Sequence, residues 1–389
     1  MTPKIDFLSV VYLVGAAQGA FLIVALLDNK LGNHQANRYL AAFLSVFTLA
    51  LVFEFFYQSR YLYQYPHLTG LNWPLDFLYG PLFYLYIRRL TEAKPPAAQN
   101  RDFRHFILFP IGIALALPTW LLEPGDKILM NYPLDGLPNA AVFRANLFDG
   151  VASLLSVIQM AVYLRFSQMA LGRHRENIQQ QFSAIEEINL SWLTTLLRIL
   201  ITLWVLYIVH IFFSEALGID DNALAALFLV LVMTIYGLGY RGLRQPTIFK
   251  QPEPFSSPPE KEKYSKSKLG EEETRTIKAR LFEAVEKYQP HLDGGVTLPQ
   301  LAQLIDCSSN QLSQLINDEL GVSFFDFING YRIERAKHLL LNDPKMPILT
   351  VAMEAGFNSK SAFYTAFKKE LGITPSQYRR TGEKANVAK

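Results

Sequence analysis

The chain has 389 residues, half of them hydrophobic, with 28 Phe, 19 Tyr and only 18% charged residues. A soluble domain carries about 25% charged residues, so this composition argues against a wholly soluble protein. The net charge of +3 is too small to argue from, and the single cysteine, Cys307, excludes an intrachain disulfide framework or a multi-cysteine zinc site. The seven histidines show no His-x-x-x-His spacing, so neither a metal nor a cofactor is expected.

From the amino terminus, seven apolar blocks approach or exceed the roughly 20 residues that span a bilayer core. They cover about 7–27, 36–57, 71–90, 103–122, 141–169, 190–217 and 223–243. Several lack the polar stripe of a soluble helix. The apolar run of the first is too long for a signal peptide and only Lys4 precedes it, so it reads as a retained span.

The basic residues between the blocks are unevenly shared. With the amino terminus outside, inner segments hold Lys30, Arg38, Arg88, Arg89, Lys94, Arg101, Arg104, Arg165, Arg173, Arg175, Arg241, Arg244 and Lys250. Outer segments hold only Lys4, Arg60, Lys127 and Arg144. The positive-inside rule then puts the carboxyl terminus in the cytoplasm.

Four spans carry an ionisable residue on the outer side, where burial is costly and function is the default reading. These are Glu54, Asp76, Asp149 and His210, ringed by Trp73, Tyr79 and Tyr57. They are the candidate signal site, an outward-facing pocket for a small polar ligand or a proton. The competing reading is mutual pairing or snorkelling. "GLGYRG", residues 237–242, matches a dinucleotide fingerprint but lacks the strand before it and the helix after it. Close helix packing explains these glycines better.

Residues 1–244 thus form a transmembrane domain of about seven spans. Residues 245–270 contain five prolines and alternating Lys and Glu, and read as an extended linker. Residues 271–389 open with a helix bearing Leu281, Val285 and Tyr288 on one face, then hold two similar units. In the first, Thr297 and Gln300 make a capping box, and Leu298, Leu301 and Ile305 face inward. A turn at 306–308 leads to a second helix that buries Leu312, Leu315 and Ile316 and presents Asn310, Ser313, Gln314 and Asn317.

In the second unit Val351, Ala352 and Ala355 face inward, Gly356 ends the helix, and Ser359 caps the next. Its outer side carries Ser361, Ala362, Thr365, Lys368 and Lys369; Arg379 follows on another helix. Residues 345–389 hold eight Lys/Arg against Glu354, Glu370 and Glu383, which suits phosphate contact. About 18 helical residues between the units would span roughly 27 Å, near the spacing of successive major grooves.

"FFDFINGYRIERAKHLL" followed by "ILTVAMEAGFNSKSAFYTAFKKELGITPSQYR" closely resembles the AraC/XylS family of bacterial transcription regulators, over about 297–380. The resemblance implies a double helix-turn-helix whose base-facing positions fall on Asn310, Ser313 and Gln314, then Ser361, Ala362 and Thr365. These side chains are small where better-known members have Arg or Trp. The whole chain is similar to membrane-bound members with seven spans, "GLNWPLDFLYGPLFYLYIRRLT" being one such segment.

The expected protein is all-α, with polytopic spans followed by two helix-turn-helix units. It acts as a one-component regulator, not an enzyme, since no catalytic constellation is legible. Its expected partners are double-stranded promoter DNA, the lipid bilayer, RNA polymerase, an unidentified small-molecule or envelope signal, and a second copy of the chain. An enzyme or transporter with a DNA-binding appendage, and a mere membrane anchor, are the competing classes.

Overall fold

The computed structural model describes residues 3–28, 33–92, 102–132, 139–186, 188–217, 221–244 and 270–387, with some side chains after 210 and after 382 outside that set. The expected linker lies outside the described residues except for Gly270. The chain divides into two units, Met1–Gly172 with Leu190–Gln251, and Arg173–Asn189 with Pro252–Lys389. Arg173–Asn189, part of the span domain by sequence, therefore clusters with the carboxyl-terminal unit.

The first unit is helical. It comprises α1 (Phe7–Asp28), α2 (His34–Gln58), α3 (Asp76–Thr91), α4 (Leu108–Trp120), a short α5 (Pro124–Asn131), the first part of α6 (Ala140–Gln181), α7 (Ser191–Leu217) and α8 (Asp221–Arg244). Among the described residues, five stretches are long and apolar enough to cross a membrane: Phe7–Asp28, His34–Gln58, Asp102–Trp120, Ala140–Gln181 and Ser191–His210. The other two expected spans stand differently. The third block makes only the 16-residue α3, because a short 3-10 turn at Trp73–Leu75 takes up its start. At 1.5 Å per residue that helix covers about 24 Å, less than a bilayer core of about 30 Å. The seventh block forms the 24-residue α8, but most side chains of its first half lie outside the described residues.

Close approach of backbones brings α1, α2 and α8 together, and a few hydrogen bonds add to it, such as Gln159 Nε2 of α6 donating to Phe77 O of α3 at 3.2 Å. A Cβ at Gly19 of α1 would collide with Thr48 of α2, and one at Gly242 of α8 would collide with Leu40. Small residues at helix crossings are how apolar helices pack without a hydrophobic gradient. Gly242 and its neighbour Gly239 belong to the "GLGYRG" stretch, so packing accounts for them. Polar groups gather at the two ends of α3. Beside its start, Trp120 Nε1 donates to Gly70 O at 3.0 Å and Asn131 Nδ2 to Thr69 Oγ1 at 2.8 Å. At its end, buried Arg89 pairs with Asp102, which also accepts from Tyr39 at 2.7 Å.

The second unit has two small cores. One joins α9 (Glu271–Tyr288), α10 (Leu298–Leu304) and α11 (Ser309–Gln314) to the first half of α12 (Phe324–Asn342). The other joins the second half of α12 to α13 (Ile348–Glu354), α14 (Lys360–Leu371) and α15 (Pro375–Val387). Phe324, Phe327 and Ile328 of α12 serve the first core; Ile333, Ala336 and Leu340 serve the second. One face expected from sequence shifts. Tyr288 is 56% exposed, with the Lys287 ammonium 5.1 Å from its ring centre, and α9 buries Ile277, Leu281, Ala284 and Val285 instead. Tyr288 is the last residue of α9, beyond the last buried one, Val285, and the chain turns away directly after it, with Gln289 in the left-handed region at φ 46.

Candidate nucleic-acid interface

Each recognition element begins with a hydroxyl cap that its sequence supplies. Ser308 Oγ accepts from Gln311 N at 3.2 Å, and Gln311 Oε1 returns the contact to Ser308 N at 2.9 Å. Ser359 Oγ accepts from Ala362 N at 3.1 Å. Helices of six and twelve residues are marginal in isolation, so these caps and the cores beneath decide that they form. The turns ahead of them close with the same backbone bond. Cys307 N donates to Ala302 O at 3.0 Å, and Phe357 N donates to Ala352 O at 2.9 Å. Asp306 at φ 53 and Gly356 at φ 89 provide the left-handed residue each turn needs. At Gly356 a Cβ would run into the His291 carbonyl, so no larger residue fits.

The first recognition element is not one regular helix. After α11 the backbone widens into a π-turn over Leu315–Glu319, with Leu320 N donating to Leu315 O at 3.1 Å. Asn310 is exposed, while Ser313, Gln314 and Asn317 are half-buried. Asn317 Nδ2 donates to Ser313 Oγ at 3.0 Å, which holds these two as a pair. Gln311, not expected to matter, caps α11 and reaches Glu273 of α9 at 2.5 Å.

On α14, Ser361, Thr365, Lys368 and Lys369 are exposed, and Ala362 is half-buried against the second core. Lys369 Nζ meets Asp326 Oδ1 at 2.6 Å. Such an exposed pair contributes about 0–1 kcal/mol, so a phosphate can displace the aspartate. Arg379 is committed otherwise: its Nη2 donates to Met346 O at 2.7 Å, tying α15 to the loop before α13. Lys360 was not singled out by sequence, yet it is exposed at the start of α14 with its ammonium 5.5 Å from the Tyr364 ring. Its place in the first turn of an amphipathic helix was the available signal.

Of the four candidate signal residues, two come together. Glu54 and Asp76 lie within electrostatic reach of each other and of Tyr79 and Tyr207. Asp149 instead accepts from Thr119 Oγ1 at 3.2 and 3.3 Å. The Nδ1 of His210 is buried with no hydrogen-bond partner among the described residues. No group of three or more metal-ligating side chains occurs among the described residues.

A helix-turn-helix domain family matches residues 301–381. The arabinose operon regulatory protein of Escherichia coli K12 is 37% identical over 101 residues, covering 26% of this chain and 34% of that protein. Its counterpart in Salmonella typhimurium is 35% identical, covering 26% of this chain and 36% of that one. The chain thus spans about a third of the length of these relatives. The C-terminal domain is of the AraC helix-turn-helix type. Among solved structures, the C-terminal domain of AraT, a response regulator from Geobacillus stearothermophilus, aligns at 32% identity with TM-score 0.25, over 30% of this chain and 88% of that one.

Beneath the interface of this AraC-type domain, burial and the nearby Arg332 and Arg335 hold the His291 imidazole below its ordinary value near 6.5. Its Nδ1 has no hydrogen-bond partner among the described residues, and its ring stacks on Tyr331. A depressed histidine binds fewer protons folded than unfolded, so stability is full above the unfolded value and falls as acid protonates the unfolded state first. The second unit should therefore lose thermal stability from pH 6.5 downward, and His291→Gln should flatten that loss. Thermal melts of both proteins across pH 5 to 8 check this; an identical acid slope would clear His291 of the effect.

Proposed function

We propose that the chain is a membrane-embedded, one-component transcription regulator of the bacterial inner membrane. The observation that carries this reading is the pairing of features in one chain. Two helix-turn-helix units share α12, and among the described residues five helices are long and apolar enough for a bilayer. Those helices expose large apolar side chains along their length, such as Val14, Phe21 and Val24 on α1 and Leu147, Leu154 and Ile158 on α6. In water such surfaces are a liability, and lipid removes it.

The amino terminus lies outside and the AraC-type domain in the cytoplasm, where it binds double-stranded promoter DNA, recruits or repositions RNA polymerase, and pairs with a second copy. Asn310, Gln314, Ser361 and Thr365 read base edges, and Lys368 and Lys369 hold phosphates. Arg379 supports the fold. The outer ends of the spans receive the signal, with the Glu54–Asp76 pair as its site. Two carboxylates in electrostatic contact respond to any cation or proton that relieves their repulsion.

Four outcomes are expected. Duplexes selected from a random pool by the intact protein in nanodiscs should lose roughly 1–3 kcal/mol of preference at one position with Gln314→Ala. Lys368→Ala should weaken selected and random duplexes alike and flatten the salt dependence. Equal losses on both duplexes for Gln314→Ala would remove that residue from base readout. Reporter fusions after Lys127 should score as periplasmic and after Arg101 or Lys250 as cytoplasmic. A periplasmic Lys250 would place the domain away from DNA and sink the regulatory reading. For the signal, Asp76→Asn should lock transcription from a target promoter on or off while DNA binding in nanodiscs stays unchanged. An unaltered signal response would rule the pair out.

A further inference from the structure

Arg332 is the most completely buried charged side chain of the second unit, at 1% exposure, and it sits where α12 passes from one core to the other. Its guanidinium has five donor hydrogens in one plane, which must all find acceptors when water is excluded. Nε donates to His291 O at 2.8 Å, and Nη2 to Asp293 O at 2.8 Å. Nη1 donates to Asn329 Oδ1 at 3.2 Å. The remaining contacts go to a residue 149 positions away: Nη1 to Ser183 O at 3.0 Å and Nη2 to Ser183 Oγ at 3.1 Å. No carboxylate lies within ion-pair distance of Arg332 among the described residues; Glu186 and Asp293 act on it only through space.

Ser183 is itself 2% exposed and fastened twice more, its N and Oγ both donating to Val296 O, at 3.3 and 2.7 Å. Its neighbour Phe182 makes an isolated antiparallel bridge with Thr297, the residue that caps α10. The loop of residues 290–296 thus receives three attachments. Arg332 holds it from α12, the 182–183 segment holds it from the end of α6, and Asn358 Nδ2, from the second helix-turn-helix turn, donates to Gly294 O at 2.8 Å. Both recognition units meet at this loop. The base-facing positions Asn310, Ser361 and Thr365 stay exposed while the segment is docked.

We propose that Phe182–Ser183 is a docked strap that locks the two helix-turn-helix units into one relative orientation through Arg332 and the 290–296 loop. The proposal rests on the DNA-binding reading above and adds a regulatory input to it. The strap continues directly from α6, whose residues 140–172 belong to the apolar unit, so a change in that helix has a covalent route to the lock. Docking pre-organises paired reading; release leaves each unit able to bind alone but not as a pair. Preorganisation of this kind raises affinity by lowering the ordering cost of binding.

The test uses the intact protein in nanodiscs. Ser183→Pro removes the amide and the hydroxyl that hold Val296 O, and Ser183→Ala removes the hydroxyl alone; Ser183→Thr restores it. Hydrogen exchange should speed by about tenfold in residues 290–297 for Ser183→Pro, less for Ser183→Ala, and return toward wild type for Ser183→Thr. Affinity for a duplex selected by the wild-type protein should fall by roughly tenfold, while a duplex with half of that sequence and a random duplex stay within about twofold. Unchanged exchange and unchanged affinity in Ser183→Ala and Ser183→Pro would overturn the proposal, as would equal losses on all three duplexes. Should the wild-type protein bind no duplex, the DNA-binding reading falls, and the exchange comparison alone decides whether the strap holds the loop.

Discussion

A guanidinium without water is the constraint on which the carboxyl-terminal unit turns. Leaving a charged group buried and unsatisfied costs several kcal/mol, far more than the typical 0.5–1.5 kcal/mol that one hydrogen bond contributes. Arg332 therefore dictates where its acceptors stand, and they come from the 290–296 loop, from α12 itself and from Ser183. Burial brings its affinity for a proton down to about 10, which still leaves it cationic at neutral pH. Carbonyl dipoles rather than a carboxylate satisfy it. That choice ties the position of the loop to backbone geometry, and the loop in turn sets where α10 begins.

Much of this unit was legible in sequence because its helices are short and their ends are chemically marked. Thr297 with Gln300, Ser323 with Asp326, and Ser359 ahead of α14 cap their helices as their sequence positions mark them, and Ser308 with Gln311 repeats the spacing without having been singled out. The inward faces at Leu298, Leu301, Leu312, Phe363 and Phe367 follow the helical period and are buried. What escaped is partly long-range pairing and partly irregular backbone. Ser183 and Arg332 are separated by 149 positions, and nothing local marks either as the other's partner. The π-turn at Leu315–Glu319 leaves no mark in a pattern of period 3.6, and the exposure of Tyr288 depends on where Gln289 turns.

In the apolar unit, composition showed the helices but not their lengths. A block that is apolar by count contains Trp73-Pro74, which spends its first turn on a 3-10 segment and leaves α3 short. Gly19 and Gly242 are the small residues that let α1, α2 and α8 approach, and for Gly242 this is the packing role expected from its place in an apolar block. Asp149 and Asp76 looked equivalent by depth; Thr119 claims the first and Glu54 faces the second.

The two recognition elements differ in the chemistry they bring to an anionic helix. The first, residues 309–319, carries no lysine or arginine and ends in Asp318 and Glu319. The second carries Lys360, Lys368 and Lys369. On the proposed DNA-binding reading, counterion release would make the basic element the source of non-specific affinity, while the acidic one would add hydrogen-bonding groups against an electrostatic cost. A bipartite reader with such unequal halves gains most from fixing their relation, because the weak half then binds at the high effective concentration set by the strong one. Arg332 lies on α12 at the junction of the two cores, which is where a lock of the proposed kind would act.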